Sequence, residues 1–303
     1  MRNKFADVFY EMGKKDPRLA IVVADISPAG SIAKFRDEFP DRFVNTGVAE
    51  QIMIGMTAGM AQRGMRPFAY TIATFTMFRP YEFIRDDLCY QNLPVTLVGI
   101  GGGVTYSTLG ATHHAMEDVA LASALPNMRV IAPCDPLEVE AATRWCATQG
   151  EGPVYLRLGK AGEANFSVNA ETPWEYGKIR YLRRGVDVCI FTYGPIVKMA
   201  WAVADKLEVD GKSVSIVSVH TIKPLDEDGI RQALMSHKEA VVLEEMIPTG
   251  GLADKVKSLA YDNKADCVLK CFTLKDEFIH NYGSHEDVLE AHGLSTEKIY
   301  SSL

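Results

Sequence analysis

Short apolar segments alternate with helix-like segments along most of this chain of 303 residues. In the first half, the strand-like segments are residues 20–26, 67–73, 94–100, 129–132 and 153–158. The helix-like segments are residues 4–14, 49–63, 78–92, 116–125 and 136–148. Because the strand-like segments are apolar throughout, the strands are expected to be buried on both faces. The alternation therefore predicts an α/β fold with a mostly parallel sheet flanked by helices.

The same pattern returns in the second half after a polar, irregular stretch. Residues 161–178 are interrupted by glycine, asparagine and proline and are predicted to be a linker. Strand-like segments follow at 186–193, 214–219 and 240–243, with helix-like segments at 194–207, 226–236 and 252–260. The sequence thus predicts two α/β domains, residues 1–160 and 179–303, joined by the linker.

Composition narrows the class of protein. Apolar residues make up 47% of the chain, charged residues make up 23% and the net charge is −7, which is unlike a nucleic-acid-binding surface. No apolar run is long enough to predict a membrane-spanning helix, and the first residues lack the apolar core of a signal peptide. The six scattered cysteines form no Cys-x-x-Cys pair, which favours free thiols in a reducing cytoplasm.

A single acid, Glu50, stands where a strand-like segment gives way to a helix in Gly47-Val48-Ala49-Glu50-Gln51. Apolar residues recur at a helical period behind it, and polar residues are scarce on the opposite face. The helix is therefore expected to be buried on most sides. An acid in a first helical turn is either a partner of the helix dipole or a chemical group, and its position alone leaves both interpretations open.

Three aromatic residues follow another strand-like segment, namely Phe75, Phe78 and Tyr81 at a spacing of three. Ordinary core packing explains many such stripes. In open α/β sheets, however, ligands bind beyond the carboxyl ends of the strands. At such an end, aromatic side chains can form a dry pocket for a flat heteroaromatic ring.

A third feature lies after the strand-like segment 94–100. The glycines at 101–103 either let the backbone approach a ligand closely or form a plain flexible loop. The same loop carries His113 and His114, and two adjacent histidines cannot both face one small site. A capping or packing role is the alternative for each of them, and we take His113 as the better functional candidate.

These motifs, taken in order, resemble the carboxyl-terminal half of a transketolase, and most closely a split transketolase whose two halves are separate polypeptides. The resemblance rests on the Glu50 motif, Thr74-Phe75-Thr76-Met77-Phe78, Gly110-Ala111-Thr112-His113-His114, Leu125-Pro126-Asn127-Met128 and Gly250-Gly251-Leu252. It covers the whole chain, as a pyrimidine-binding domain followed by a transketolase carboxyl-terminal domain.

The resemblance implies thiamine diphosphate as cofactor, with Mg²⁺ or Ca²⁺. The family holds the diphosphate and metal through a Gly-Asp-Gly motif, which this sequence does not contain. It therefore implies an amino-terminal partner subunit that carries the metal ligands, and an α2β2 heterotetramer acting on small sugar substrates. The expected reaction is transfer of a two-carbon ketol unit from a ketose to an aldose.

The resemblance also implies roles for individual residues. Glu50 would hydrogen-bond the aminopyrimidine ring of the cofactor, and Asp25 would lie near the cofactor and the subunit interface. Phe75, Phe78 and Tyr81 would wall the ring. The expected substrate ligands are His113, Arg157 and Arg2, where the two arginines would grip a phosphate or another anion. For both arginines, a plain surface charge is the alternative.

One departure from the family pattern bears on the substrate. Full-length transketolases have an aspartate four residues before the substrate histidine, and here that position is Leu109. The family links this acid to discrimination of a sugar hydroxyl. Its replacement puts the usual pentose phosphates in doubt and favours a specialised ketose that carries a phosphate or another anion.

Two other functions remain open on the sequence. One is a different thiamine enzyme of the same architecture, either the beta subunit of a 2-oxoacid dehydrogenase decarboxylase or a deoxyxylulose-phosphate synthase fragment. The Gly-Ala-Thr-His-His segment locally resembles the synthase. The other is a non-enzymatic binding or regulatory subunit in which Glu50 only complements a helix dipole.

Overall fold

The computed structural model describes residues 1–25, 30–148 and 151–303. In chain order its strands are β1 (Leu19–Val23), β2 (Phe43–Asn45), β3 (Arg66–Ile72), β4 (Thr96–Ile100), β5 (Arg129–Ile131), β6 (Val154–Leu158), β7 (Arg180–Arg183), β8 (Val188–Thr192), β9 (Val214–Ser218), β10 (Thr221–Lys223), β11 (Glu239–Leu243) and β12 (Val268–Phe272). Ile26, where the first predicted strand ends, lies outside the described residues.

The helices cover the faces of the sheets. In chain order they are α1 (Arg2–Lys15), α2 (Gly30–Glu38), α3 (Glu50–Gln62), α4 (Ala73–Met77), α5 (Tyr81–Phe83), α6 (Asp118–Ala124), α7 (Pro136–Thr148), α8 (Val197–Val209), α9 (Glu227–Ser236), α10 (Leu252–Asp262), α11 (His285–Ala291) and α12 (Thr296–Tyr300). Within the part of the chain that the structure describes, no helix combines the length and apolar character needed to cross a membrane.

Two sheets form the centres of two domains. The first has the order β10-β5-β6-β4-β3-β1-β2, and the second has the order β12-β11-β8-β9-β7. All neighbouring strands are parallel except β10 beside β5 and β7 beside β9. Strands β1, β4, β6, β8 and β9 are buried along their whole length, as their apolar sequences require. The predicted fold class is confirmed.

The structure differs from the sequence interpretation in the segment 78–92. A single helix was expected there, but α4 ends at Met77, α5 occupies only Tyr81–Phe83 and a π-helical turn follows at Ile84–Tyr90. Pro80 lies between α4 and α5, and proline interrupts a helix because it lacks the N–H group and clashes with the preceding turn. The sequence pattern also missed strands β7 and β10.

The two domains share part of one sheet. Strand β10 follows the second domain's strand β9 but pairs antiparallel with β5 of the first sheet. Residues 159–179, which include the predicted linker, contain neither helix nor strand. Trp174 from this stretch stacks on His220, with 4.9 Å between ring centroids. His220 is fully buried where the domains meet, and its backbone carbonyl accepts a hydrogen bond from the Ala132 amide at 2.7 Å.

Burial of His220 predicts that acid weakens the folded state. Burial and the nearby charge of Arg180 lower the His220 pKa to about 3. The unfolded chain takes up this proton near pH 6.5 and the folded chain does not. Stability is therefore lost as pH falls from about 6.5 towards 3, by roughly 4 to 5 kcal/mol over that whole window. Urea unfolding at pH 7 and pH 5 should show the first part of this loss.

The variant His220→Asn should reduce the acid dependence without abolishing it. Burial also lowers the pKa of His114 and of His292, and both shifts act in the same direction. An unfolding free energy that fell equally between pH 7 and pH 5 in the variant and in the natural chain would contradict this account of His220.

Candidate active site

The candidate site lies at one edge of the first sheet. Strands β1, β3, β4 and β6 are neighbours and run parallel, so their carboxyl ends meet at the same edge. Asp25, Phe75, Gly101 and Lys160 follow these four strands. This is the edge at which open α/β sheets bind ligands.

Glu50 begins α3 at this edge and is 2% exposed. Both of its carboxylate oxygens accept hydrogen bonds from Arg79 Nη1, at 3.0 and 3.2 Å. The Arg79 guanidinium also lies 4.5 Å from the centre of the Phe75 ring. Arg79 was not among the site residues predicted from the sequence. Its i, i+4 spacing from Phe75 is the signal that could have indicated it, because such residues share one face of a helical turn.

Arg79 and Phe75 together connect Glu50 to His113. The Phe75 and His113 rings meet edge to face, with centroids 5.2 Å apart, and Tyr106 approaches His113 from another side at 6.2 Å. The Thr112 hydroxyl lies 2.9 Å from His113 Nδ1, so Nε2 is the nitrogen available to a ligand. Glu50, Phe75 and His113 are thus brought together from three separate segments of the chain.

The surroundings of His113 favour its neutral form. Burial lowers the pKa of the imidazole, and the positive charge of Arg79 lowers it further. At pH 7 the ring is therefore neutral, and a neutral imidazole can donate one hydrogen bond and accept another.

The other predicted cofactor contacts lie around this constellation. Phe78 and Tyr81 are partly buried and pack against the main core of the domain, and the Tyr81 hydroxyl donates to the Leu121 carbonyl at 3.0 Å. Asp25 is exposed, its amide donates to Asn45 Oδ1 at 3.1 Å, and its φ of +41° lies in the left-handed region. Such a conformation is uncommon for a residue other than glycine and clusters at functional sites.

The glycines at 101–103 make room for side chains of the protein itself. A Cβ atom on Gly101 would lie 2.1 Å from the Tyr106 ring, and one on Gly102 would lie 2.5 Å from Arg157 Nε. One on Gly103 would lie 2.1 Å from Glu245 Oε2. The close approach expected of these glycines therefore occurs, but the groups that approach are internal.

Arg157, a predicted substrate ligand, is held by other groups of the protein. It is 3% exposed, and its Nε donates to Asp118 Oδ2 at 2.8 Å. Its Nη2 donates to the carbonyls of Ala115 and Glu245, both at 3.2 Å. The side chain lies in the middle of strand β6 and points into the junction of the two domains. This is the geometry of a buried ion pair, and the expectation that Arg157 grips a sugar phosphate stays a prediction.

Two other cations lie nearer the site. Arg2 is only partly buried, its Nε is buried with no hydrogen-bond partner in the described part of the chain, and its charge acts on Tyr106. Lys160, which the sequence analysis missed, is exposed just past β6, with its Nζ 5.1 Å from the centre of the Tyr106 ring. The rule that ligands bind past strand ends points to Lys160 rather than to Arg157.

Known protein families match both domains. The family model described as the transketolase pyrimidine binding domain matches residues 1–162, and the transketolase C-terminal domain matches residues 177–299. The chain belongs to the transketolase family, and the resemblance inferred from the sequence motifs is confirmed.

Individual relatives cover the full chain. A putative transketolase C-terminal section from Methanocaldococcus jannaschii is 36% identical over 99% of this chain and 93% of the relative. One of the subunits of an apulose-4-phosphate transketolase from Phocaeicola vulgatus is 30% identical over 98% of this chain and 94% of the relative. A 1-deoxy-D-xylulose-5-phosphate synthase from Oleidesulfovibrio alaskensis is 32% identical over 99% of this chain, but only 47% of that protein is covered.

A solved structure shares the fold and the length. It is described as a split gene transketolase in an inactive beta4 tetramer, is 30% identical to this chain and has a TM-score of 0.87. The match covers 99% of this chain and 95% of that one.

Proposed function

We propose that this chain is the carboxyl-terminal subunit of a thiamine diphosphate-dependent transketolase, which moves a two-carbon ketol unit from a ketose to an aldose acceptor. The observation that carries the proposal is the buried Glu50 carboxylate at the start of α3, which is connected through Arg79 to Phe75 and His113 at the carboxyl edge of the sheet. A helix-dipole partner alone would require neither the aromatic ring nor the neutral imidazole beside it.

The residues around Glu50 fit the aminopyrimidine end of the cofactor. The Glu50 carboxylate can hold the proton of a ring nitrogen, and Phe75 offers an aromatic surface next to it. Thr74 Oγ1 is buried with no hydrogen-bond partner among the described residues, so it is a polar atom that a ligand can satisfy. Bound thiamine diphosphate supplies the carbanion chemistry, while this chain holds the ring and the substrate hydroxyls.

The diphosphate and the metal, Mg²⁺ or Ca²⁺, belong in this proposal to an amino-terminal partner subunit. Support comes from the relatives that are themselves separate halves of a transketolase, and from the exposed apolar face next to Glu50. The free cysteines are consistent with assembly in the cytoplasm.

The apolar face of α3 is the surface that we assign to assembly. Ile52 and Met56 are exposed on it, and Val48 is exposed just before it. No other atom of the described chain lies within 4 Å of a Cβ added at Gly55 or Gly59, so the helix is less buried within this chain than its sequence predicted. Exposed apolar patches of this kind mark interaction sites. An α2β2 heterotetramer built through this face would bring the partner's residues next to Glu50.

Ile52→Glu should therefore prevent assembly. Ile52 is 58% exposed in this chain, so the variant is expected to fold normally. An unpaired carboxylate buried between subunits costs several kcal/mol, so affinity for the partner should fall by about 100-fold or more. Sedimentation of the mixed subunits measures the effect.

Val209→Glu is the matched control, because Val209 is also an apolar, exposed residue and lies at the end of α8 in the second domain. It should assemble like the natural chain. Normal assembly of Ile52→Glu would remove the α3 face from the proposed interface.

The proposed ketose carries an anionic group. Lys160 lies over the Tyr106 ring beside His113, and the charge of Arg2 acts on the same tyrosine. Leu109 replaces the family's aspartate in the same loop with 48% of its surface exposed. A guanidinium and an ammonium group suit a phosphate or sulfonate. The relative from Phocaeicola vulgatus is named for a phosphorylated ketose, which supports a substrate of this type.

Two other thiamine reactions compete with ketol transfer. The similarity to a deoxyxylulose-phosphate synthase, together with the local Gly-Ala-Thr-His-His resemblance, favours the synthase as the second candidate. A decarboxylase beta subunit is the third. Both of these release carbon dioxide from a 2-oxoacid, and a transketolase does not.

The products decide among these reactions. The chain, its amino-terminal partner, thiamine diphosphate and Mg²⁺ are incubated with a panel of ketose phosphates and an aldose, or with pyruvate. Two-carbon transfer without carbon dioxide is the expected result. Carbon dioxide from pyruvate with no transfer between sugars would replace the proposal with one of the decarboxylating alternatives.

A further inference from the structure

The loop that carries His113 has little regular structure of its own. We call residues 103–115 the substrate loop. Its two ends are joined by a pair of backbone hydrogen bonds, Gly103 N to Ala115 O at 3.0 Å and Ala115 N to Gly103 O at 2.8 Å. Between them the loop contains turns and a single 3₁₀ turn at Ala111–His113. The position of His113 therefore depends on what holds the loop from outside.

The second domain holds the first end of the loop through Glu245, which lies just past strand β11. Glu245 Oε2 accepts a hydrogen bond from the Val104 amide at 3.0 Å and contacts His285 Nε2 at 3.1 Å. The absence of a side chain on Gly103 is what allows the carboxylate to come so close. Arg157 Nη2 donates to the Glu245 carbonyl and also to the carbonyl of Ala115, which is the other end of the loop.

Further contacts from the second domain hold the rest of the loop. The Ser107 hydroxyl donates to the Gly283 carbonyl at 2.8 Å. Tyr282 packs over Gly110, where an added Cβ would lie 2.9 Å from the ring. Just beyond the loop, the Ile247 amide donates to the Met116 carbonyl at 3.1 Å.

The central contact joins the buried carboxyl group of Glu245 to the partly exposed imidazole of His285. Burial by itself would raise the Glu245 pKa, but the charges of His285 and Arg157 and the Val104 amide outweigh it and leave the pKa below its usual value. Burial would likewise lower the His285 pKa, but the Glu245 carboxylate outweighs burial and raises it. A charged acceptor makes the stronger hydrogen bond to the Val104 amide.

We propose that Glu245 is a positioning residue: from the second domain it fixes the substrate loop and thereby sets the place of His113 in the active site. The inference rests on the proposed function, since it assigns to His113 the substrate contact described above. The second domain, which supplies none of the proposed reacting groups, would then affect the reaction rate through the position of His113.

The test compares Glu245→Ala with Glu245→Gln in the assembled two-subunit enzyme. Misplacement of a reacting group by about 1 Å can cost 100-fold in rate, so we expect Glu245→Ala to lower kcat/KM by about tenfold or more. Glu245→Gln retains an oxygen that can accept from the Val104 amide and should recover most of the activity. Affinity for thiamine diphosphate and for the partner should not change.

Glu244→Gln is the matched control for Glu245→Gln. Glu244 is equally buried and adjacent in sequence, but it accepts hydrogen bonds from Tyr193 and from the backbone at the start of α10 rather than from the substrate loop. Hydrogen exchange in the substrate loop should be faster in Glu245→Ala, close to that of the natural chain in Glu245→Gln and unchanged in Glu244→Gln. If Glu245→Ala does not fold, Ser107→Ala carries the test with a smaller loss of about threefold.

Double variants with His113→Ala distinguish a positioning role of Glu245 from a general effect on stability. In a His113→Ala background, Glu245→Ala or Ser107→Ala should cause no further loss of kcat/KM, because each acts through the same imidazole. An equally large further loss of kcat/KM in that background would overturn this inference but not the proposed function. So would a Glu245→Ala enzyme as active as the natural one. Absence of ketol transfer in the natural complex would instead overturn the proposed function.

Discussion

Glu50→Gln is expected to abolish almost all ketol transfer while leaving the assembled enzyme intact. The amide keeps the shape of the side chain but cannot hold a shared proton as a carboxylate does. General acid–base groups contribute about 100- to 10,000-fold to rate, and kcat should fall within this range. The initial rate with saturating cofactor and partner measures the loss.

Glu82→Gln provides the control for that experiment. Glu82 is an exposed acid of α5 in the same domain, so its amide variant should retain full activity. Sedimentation should show both variants fully assembled. Near-normal activity of Glu50→Gln would mean that Glu50 has only a structural role, as a partner of the helix dipole and of Arg79, and takes no part in the reaction.

Arg157→Met is expected to destabilise the chain by about 3 to 5 kcal/mol, because it leaves the buried Asp118 carboxylate without its charged partner. Asp118 is fully buried. Besides Arg157, the Tyr155 hydroxyl donates to its Oδ2 at 2.7 Å. The Glu245 carbonyl would lose the Arg157 donor as well, and the Ala115 carbonyl would keep only the Gly103 amide. Urea unfolding at pH 7 measures the change in free energy.

Arg144→Met tests whether burial of the ion pair is the reason for the expected loss of stability in Arg157→Met. Arg144 pairs with Glu11 and Glu140 on the surface, where such ion pairs contribute up to about 1 kcal/mol. Its loss should therefore be small. An Arg157→Met chain with normal stability and a raised KM for the sugar would instead support the substrate role predicted from the sequence.

The sequence predicted those features that local patterns determine. Fully buried strands need apolar residues throughout, so the parallel sheets could be inferred from the alternation of segments. Glu50, Phe75 and His113 could be selected because each follows a strand end, and parallel topology gathers such ends at one edge. The structure brings these three residues together.

Features that depend on tertiary contacts could not be predicted in this way. Nothing local distinguishes Arg157, buried within β6, from Lys160, exposed three residues later. The glycines at 101–103 indicated a close approach, but the sequence did not show that Tyr106, Arg157 and Glu245 would make it. An apolar helix face has the same pattern whether it packs within the chain or against another subunit, so the exposure of α3 was also missed.

Reconstitution tests the central claim most directly, namely that this chain supplies one half of an active site shared with its partner. Increasing amounts of the amino-terminal subunit are added to a fixed amount of this chain with thiamine diphosphate, Mg²⁺, a ketose phosphate and an aldose. Ketol transfer should be absent from either subunit alone and should rise to a plateau at one partner per chain. Transfer by this chain without its partner, or no transfer by the complete mixture with any ketose, would contradict the account.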